Sequence, residues 1–164
     1  MILDSETKAV ELPEDHGNEL RLWLRLLTCT TLIESEVRGR LRERFDVTLP
    51  RFDLMAQLDK VPDGMTLSDV SKRMMVSNGN VTALAASLVA DGLVERRAHA
   101  TDRRAQFLCL TPSGRRGFAS LSAAHERWIA ELFAGVSPHD RAALHRLLGM
   151  VKGGVRRALK GETA

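Results

Sequence analysis

The sequence is poor in aromatic residues and in cysteine, and it has no long apolar run. Tyrosine is absent and aromatic residues make up 4% of the 164 residues, which leaves little material for the stacked aromatic surfaces that bind single-stranded nucleic acid. Cys29 and Cys109 are the only cysteines, so a disulfide framework is not indicated and we expect the reducing cytoplasm as location. No segment approaches the roughly 18 apolar residues of a membrane span, and we expect no membrane partner.

Catalytic and metal-binding patterns are missing as well. The five histidines show no His-Glu-x-x-His spacing and the cysteines no Cys-x-x-Cys spacing. Cys29 lies in an apolar stretch of a predicted helix and Cys109 in a predicted strand, so we expect both to pack in the fold. We therefore expect a protein that is not an enzyme and that needs no metal or cofactor.

What is present suits a globular protein with a mild preference for anionic partners. Hydrophobic residues make up 44% of the chain, and 24 Lys and Arg residues against 21 Asp and Glu residues leave a net charge of +3. That excess is small, so an argument for nucleic-acid binding must rest on where the basic residues lie.

Hydrophobic spacing predicts a mainly helical fold with one small β-hairpin. A long helix is predicted from residue 18 to residue 45, followed by short helices near 51–61, 66–74 and 77–91. Thr66 and Ser77 are predicted N-caps. Two strand-like runs, "GLVERR" and "AQFLCLT", come next, and two helices begin after Thr111 and Ser137.

Two short helices with a tight break between them are typical of a helix-turn-helix, whose second helix enters the major groove of DNA. The hairpin that follows makes the motif a winged one. We therefore predict a flexible lead-in at 1–17, a winged helix-turn-helix domain at 46–110, and a helical dimerisation region formed by 18–45 and 111–164.

The central segment also resembles a known family. "LSDVSKRMMVSNGNVTALAASLVADGLVERR", followed by "TDRRAQFLCLTPSG", resembles the MarR family of winged helix-turn-helix transcriptional regulators, and the order of elements is similar over about residues 18–160. The resemblance implies a homodimer whose terminal helices interlock, and repression of operons until a small molecule or an oxidant releases the DNA. Some relatives sense peroxides through a reactive cysteine in the N-terminal region that tyrosines support, and this chain has no tyrosine.

The hairpin tip carries Asp102, Arg103 and Arg104. A narrow, negative minor groove attracts an inserted guanidinium. The resemblance implies that one arginine reaches the minor groove while Asp102 and the other arginine fix the wing. The alternative is a solvated charged turn.

Residues at the start of the second short helix are the candidates for base reading. Asn78 and Asn80 can bind adenine with two hydrogen bonds, Thr82 can touch a thymine methyl, and Ser77 with the helix N-terminus can bind a phosphate. Relatives often have arginine at the position of Ala83, so strong guanine reading by this helix is not expected. Alternatively, the two asparagines are polar surface residues. Lys72, Arg73 and Arg51 are candidate phosphate contacts or members of a solvated face.

The long helices carry more apolar surface than one small lobe can cover, which predicts a homodimer on a pseudo-palindromic double-stranded DNA operator. Relatives bind small effectors between the first long helix, the helix near 51–61 and the partner's arm. The effector candidates in that region combine apolar walls with guanidinium groups, which suits an aromatic acid or an acyl-CoA thioester; they are Trp23, Arg25, Leu27, Arg38, Phe52 and Met55. The alternative for these residues is ordinary core and solvated surface.

The second class of function considered is a dimeric helical interaction protein, or an anti-repressor, that uses the winged motif to bind protein. The "DRR" tip and the polar asparagines favour a DNA-binding repressor.

Overall fold

A computed structural model of the chain describes residues 17–98 and 106–161, apart from the side chain of Gln106. It contains six helices and three strands within those ranges. They are α1 (Asn18–Phe45), α2 (Leu49–Asp59), β1 (Met65–Thr66), α3 (Leu67–Met74), α4 (Asn78–Ala90), β2 (Val94–Ala98), β3 (Gln106–Leu110), α5 (Pro112–Leu132) and α6 (Pro138–Leu159). The mainly α fold with a β-hairpin is therefore confirmed.

The chain forms two compact units that divide between Glu126 and Arg127. In the first unit, β1, β3 and β2 form an antiparallel sheet in that order. Val94 pairs with Leu110 and Arg97 with Phe107 in the hairpin, while Met65 pairs with Leu108. The strand β1 was not predicted from the sequence, because it is two residues long and depends on its distant partner β3.

The core of the first unit forms where α2 to α5 and the sheet meet the second half of α1. Its fully or almost fully buried side chains include Val37, Leu41, Phe52, Leu54, Met55, Leu58, Val70, Val81, Ala85, Leu88, Val94, Leu108, Leu110, Phe118 and Leu121. The first buried residue of α1 is Val37. In the first half of this helix, Leu20, Leu22, Trp23 and Leu27 are exposed in the single chain.

Local hydrogen bonds explain where the helices begin. The side chains of Thr66 and Ser77 accept the amide protons of Asp69 and Asn80 at 3.1 and 3.3 Å, and the hydroxyl of Thr111 accepts that of Gly114 at 2.9 Å. Such caps satisfy amide groups that have no partner in the first helical turn. The predicted caps at Thr66 and Ser77 are confirmed.

The second unit contains the end of α5 and all of α6. Ser137 caps α6 by accepting the amide proton of Asp140 at 3.1 Å, and Pro138 follows at the first helical position. No residue of α6 is buried. Its exposed large apolar side chains are Leu144, Leu147, Leu148, Met150, Val151, Val155 and Leu159.

Candidate nucleic-acid interface

The helix-turn-helix is closed by a tight turn between α3 and α4. Met75 ends α3 in the left-handed region at φ 56°, and its side chain is 88% exposed. The amide of Val76 donates to the carbonyl of Ser71 at 3.2 Å, and the Ser71 hydroxyl donates to the carbonyl of Val76 at 2.6 Å. These two bonds fix the turn, and the Ser77 cap then starts α4 directly after it.

The predicted base-reading residues lie together on the exposed start of α4. Asn78, Asn80 and Thr82 are all exposed. The Thr82 hydroxyl donates to the carbonyl of Asn78 at 2.8 Å, so its proton is engaged within the helix and its methyl group remains for an outside contact. A Cβ built on Gly79 would meet only the Ser77 hydroxyl oxygen, at 4.0 Å. The protein itself therefore does not require glycine at this position.

The three candidate phosphate contacts differ in their surroundings. Lys72 and Arg73 are exposed in the last turn of α3. Arg51 is half-buried: one guanidinium nitrogen pairs with the carboxylate of Asp91 and another donates to the Ser87 hydroxyl at 2.9 Å. A phosphate would have to compete with these internal partners, which distinguishes Arg51 from the exposed Lys72 and Arg73.

The wing is described only at its base. Arg97 on β2 pairs with Glu95, with 2.8 Å between Arg97 Nε and Glu95 Oε1. The three predicted wing residues, Asp102, Arg103 and Arg104, lie outside the described residues. Their role stays a prediction.

The six candidate effector residues occupy two different environments. Phe52 and Met55 are buried in the core at 6% and 1% exposure, whereas Trp23 and Leu27 are exposed on α1 at 56% and 39%. Arg25 and Arg38 are exposed, and Arg38 lies 4.0 Å from Glu34. Trp23 and Leu27 therefore do not share a surface with the two core residues in the single chain.

Sequence reasoning missed two titratable groups beside Phe52. The ring of His125 on α5 lies 4.8 Å from the ring of Phe52 between centroids, and burial lowers the pKa of His125. Burial, together with the negative charge of Glu34, raises the pKa of Asp53. No sequence motif marks either residue, because each shift depends on contacts between distant helices.

The two cysteines lie in different environments. Cys109 is buried and its pKa is raised by burial, which disfavours the reactive thiolate. Cys29 is exposed, so the expectation that it packs in the fold is wrong for the single chain, because the fully buried residues of α1 begin only at Val37. The described part of the chain brings no three His, Cys, Asp or Glu side chains together as a metal site.

An apolar cleft of about 430 Å³ adjoins the reading helix, lined by Pro50, Met74, Val76, Ala83 and Leu84 together with Asn80 and Ser87. None of the six effector candidates lines it.

Among the described helices, none has the length and apolar character needed to cross a bilayer.

A family model described as the MarR family matches residues 45–105. A transcriptional activatory protein, BadR from Rhodopseudomonas palustris, is 29% identical over 132 residues, which cover 78% of this chain and 75% of BadR. An HTH-type transcriptional regulator of Bacillus subtilis, YdgJ, is 29% identical over 93 residues, and the match spans 57% of each chain.

Solved structures extend the likeness to almost the whole chain. A MarR family transcriptional regulator from Silicibacter pomeroyi is 33% identical with a TM-score of 0.70, covering 87% of this chain and 99% of that one. Sco3205, a MarR family regulator from Streptomyces coelicolor solved in complex with DNA, has a TM-score of 0.75 at 19% identity, covering 87% of this chain and 91% of that one. The second comparison shows a shared fold.

Proposed function

Because the chain belongs to the MarR family of transcriptional regulators, we propose that it is a homodimeric repressor that binds a specific double-stranded DNA operator. The protein is a transcriptional regulator rather than an enzyme, as its relatives are. The observation that carries the proposal is the start of α4, where a capped helix exposes Asn78, Asn80 and Thr82 beside a tight turn. A regulator of transcription acts where the chromosome is, so we propose a cytoplasmic location.

Reading of bases by α4 follows from the chemistry of its first turns. An asparagine amide can donate to N7 and accept from N6 of adenine in the major groove, and a threonine methyl can pack on a thymine methyl. The Thr82 hydroxyl already bonds to the helix backbone, which favours the methyl contact. The helix N-terminus at Ser77, with its positive end of the dipole, suits a phosphate, and the exposed Lys72 and Arg73 are proposed as further phosphate contacts.

The wing is proposed to reach the neighbouring minor groove. One guanidinium of Arg103 and Arg104 would insert there, and Asp102 would hold the other by a charge-assisted hydrogen bond. The solved complex of Sco3205 with DNA supports DNA as the ligand of this fold, without assigning the residues of this chain.

Dimerisation is proposed to use 18–45 and 111–164, leaving 46–110 as the DNA-binding domain. In the single chain α6 has no buried residue, and α1 exposes Leu20, Leu22, Trp23, Leu27 and Leu32. Exposed apolar area on this scale marks an association surface. A twofold dimer would read a pseudo-palindrome whose half-sites are about 10 base pairs apart.

An effector is proposed to control this repressor. Trp23 and Leu27 are exposed on α1 and are proposed as apolar walls, and Arg25 and Arg38 are proposed as the cationic groups that bind an aromatic acid or an acyl-CoA thioester. Phe52 and Met55 are already packed in the core, so they are not proposed as walls of the pocket. A ligand can release DNA only by the difference between its affinities for the free and the DNA-bound state.

A gel shift with the duplex upstream of the protein's own gene tests DNA binding. We expect a shifted band that unlabelled operator removes and a shuffled duplex does not. In-vitro transcription from the same duplex tests the sign of regulation, since BadR is described as an activatory protein. Binding to protein partners with no preference for any duplex would favour the interaction-protein alternative.

Thermal-shift screening of aromatic acids and their CoA thioesters tests the effector. A stabilising compound should also release the duplex in the gel shift. If every stabilising compound leaves the DNA complex intact, the effector proposal is wrong.

A further inference from the structure

Arg51 connects α2 to the last turn of the reading helix α4. One of its terminal nitrogens pairs with the carboxylate of Asp91 and the other donates to the hydroxyl of Ser87 at 2.9 Å. Asp91 is the C-cap residue of α4 and Ser87 lies one turn earlier. A single side chain thus holds two groups at the end of the helix that is opposite the base-reading asparagines.

The fork of the guanidinium makes this connection directional. Its nitrogens are fixed in one plane, so bonds from two of them set an angle as well as a distance, which a lysine ammonium does not do. The side chain of Arg51 is only 22% exposed, so the bonds are less weakened by water than those of a fully exposed pair.

The other side of the connection is firmly held. Phe52, next to Arg51, packs on Phe118 with 5.6 Å between ring centroids and on His125. Leu54 and Leu58 of the same helix are fully buried. α2 is therefore a fixed platform from which Arg51 reaches α4.

A small tilt of α4 would matter at its other end. Ser87 and Asn78 are separated by about 13 Å along a helix with 1.5 Å rise per residue, so a tilt of about 10° about the clamped end displaces Asn78 by about 2 Å. Hydrogen bonds to base edges need donor–acceptor distances within a few tenths of an ångström of about 2.9 Å. Loss of the connection would therefore weaken the hydrogen bonds to bases more than the contacts to phosphates, which do not depend on the DNA sequence.

We propose that Arg51 is a positioning residue for DNA recognition: through Asp91 and Ser87 it holds α4 at the angle at which Asn78 and Asn80 reach the bases. This inference rests on the proposed function. It replaces the phosphate contact expected for Arg51 from the sequence.

Arg51→Ala and Asp91→Ala distinguish the two roles, because the roles predict opposite effects for the second variant. Asp91→Ala removes a carboxylate and leaves the Arg51 guanidinium without that partner. If Arg51 contacts a phosphate, this variant should bind DNA as well as the wild type or better. A positioning Arg51 loses its anchor, and affinity for the specific duplex falls on the order of tenfold, as expected for a lost charge-assisted bond. The probes are a duplex selected by the wild-type protein from a random-sequence library and a shuffled duplex of the same length.

The salt dependence supplies a second readout. Each phosphate contact contributes about −0.9 to the slope of log affinity against log salt concentration. We expect Arg51→Ala to leave the slope unchanged on both duplexes, to lose affinity for the selected duplex, and to keep its affinity for the shuffled one. A variant that is partly unfolded would lose affinity for both duplexes in the same proportion, which separates instability from positioning.

Arg40→Ala is the matched control. The Arg40 side chain is also 22% exposed, and its partner Glu36 is 49% exposed, as Asp91 is. Both positions of this pair lie on α1, away from the reading helix in sequence, so Arg40→Ala should keep the ratio of specific to nonspecific affinity. Arg51→Lys should behave like Arg51→Ala in that ratio.

The inference is overturned if Asp91→Ala binds the selected duplex as tightly as the wild type. It is also overturned if Arg51→Ala makes the slope of log affinity against log salt concentration less steep by about 0.9, the value of one phosphate contact. Failure of the proposed function gives a different result. In that case the wild-type protein itself selects no sequence from the library.

Discussion

The backbone carbonyl of Leu93 fills the space in which Gly114 would carry a side chain. A Cβ built on Gly114 would overlap the Leu93 carbonyl oxygen and would lie 2.9 Å from the carbonyl carbon. The start of α5 therefore packs against the chain just before β2 at a distance that only glycine allows. The Thr111 hydroxyl, which donates to the carbonyl of Gly92 at 2.8 Å, closes the same contact.

Gly114→Ala should destabilise the fold for this reason. Overpacking against backbone costs about 1–3 kcal/mol or more, because the carbonyl cannot rotate away as a flexible side chain can. Urea denaturation would measure the change in the free energy of unfolding. Gly117→Ala is the control on the same helix: a Cβ there meets nothing within 4 Å, so the better helix propensity of alanine should stabilise by up to about 1 kcal/mol. Equal midpoints for the two variants would show that the contact with Leu93 is not close.

Asn78→Ala and Asn80→Ala should relax sequence preference. Base contacts specify the sequence whereas phosphate contacts set position, so affinity for the selected duplex should fall by about 1–3 kcal/mol with little change for a shuffled one. Asn18→Ala removes an exposed asparagine at the first position of α1, and it should change the affinity for neither the selected nor the shuffled duplex. A parallel fall on both duplexes would instead assign the two asparagines to the phosphate backbone.

Arg103→Ala and Arg104→Ala test the wing. At least one of them should weaken operator binding by about 1–3 kcal/mol without lowering the thermal midpoint, because the lost contact is to DNA. The effect should be larger when the flanking sequence is A·T-rich, since its minor groove is narrow and more negative. Arg127→Ala, an exposed arginine on α5, is the control. Unchanged binding by both wing variants would exclude the minor-groove role.

Val151→Glu should separate the dimer into monomers. Val151 is 42% exposed in the single chain, so a carboxylate there costs the isolated fold little but would be buried without a partner in a dimer interface. Ala142→Glu introduces the same charge about two and a half turns away, on the opposite side of α6, and should leave the dimer intact. Sedimentation equilibrium at micromolar concentration measures the association state of both variants. A wild-type protein that sediments as a monomer would rule out the dimer.

The parts of the fold that sequence could predict depend on neighbouring residues. Thr66 and Ser77 cap helices through amides three residues away, and such caps are readable as short motifs. The partners of Arg51 could not be read in this way, because Asp91 lies 40 residues along the chain. The exposure of Cys29 could not be predicted for a related reason: apolar neighbours in sequence do not show which half of a long helix the core covers.

Stability should decrease in mild acid because of His125. Burial against Phe52 lowers the pKa of His125 below its ordinary value of about 6.5. Between that value and the lower pKa of the folded state, the unfolded chain binds more protons than the folded chain, so the free energy of unfolding falls as the pH falls. His125→Gln removes the titrating group. We therefore expect the urea midpoint of the wild type to drop more than that of the variant between about pH 7.5 and about pH 5.5. The variant already lacks the ring contact, so the comparison concerns the slope with pH and not the absolute midpoint. Identical slopes in the two proteins would mean that His125 takes up its proton equally easily in the folded and the unfolded chain.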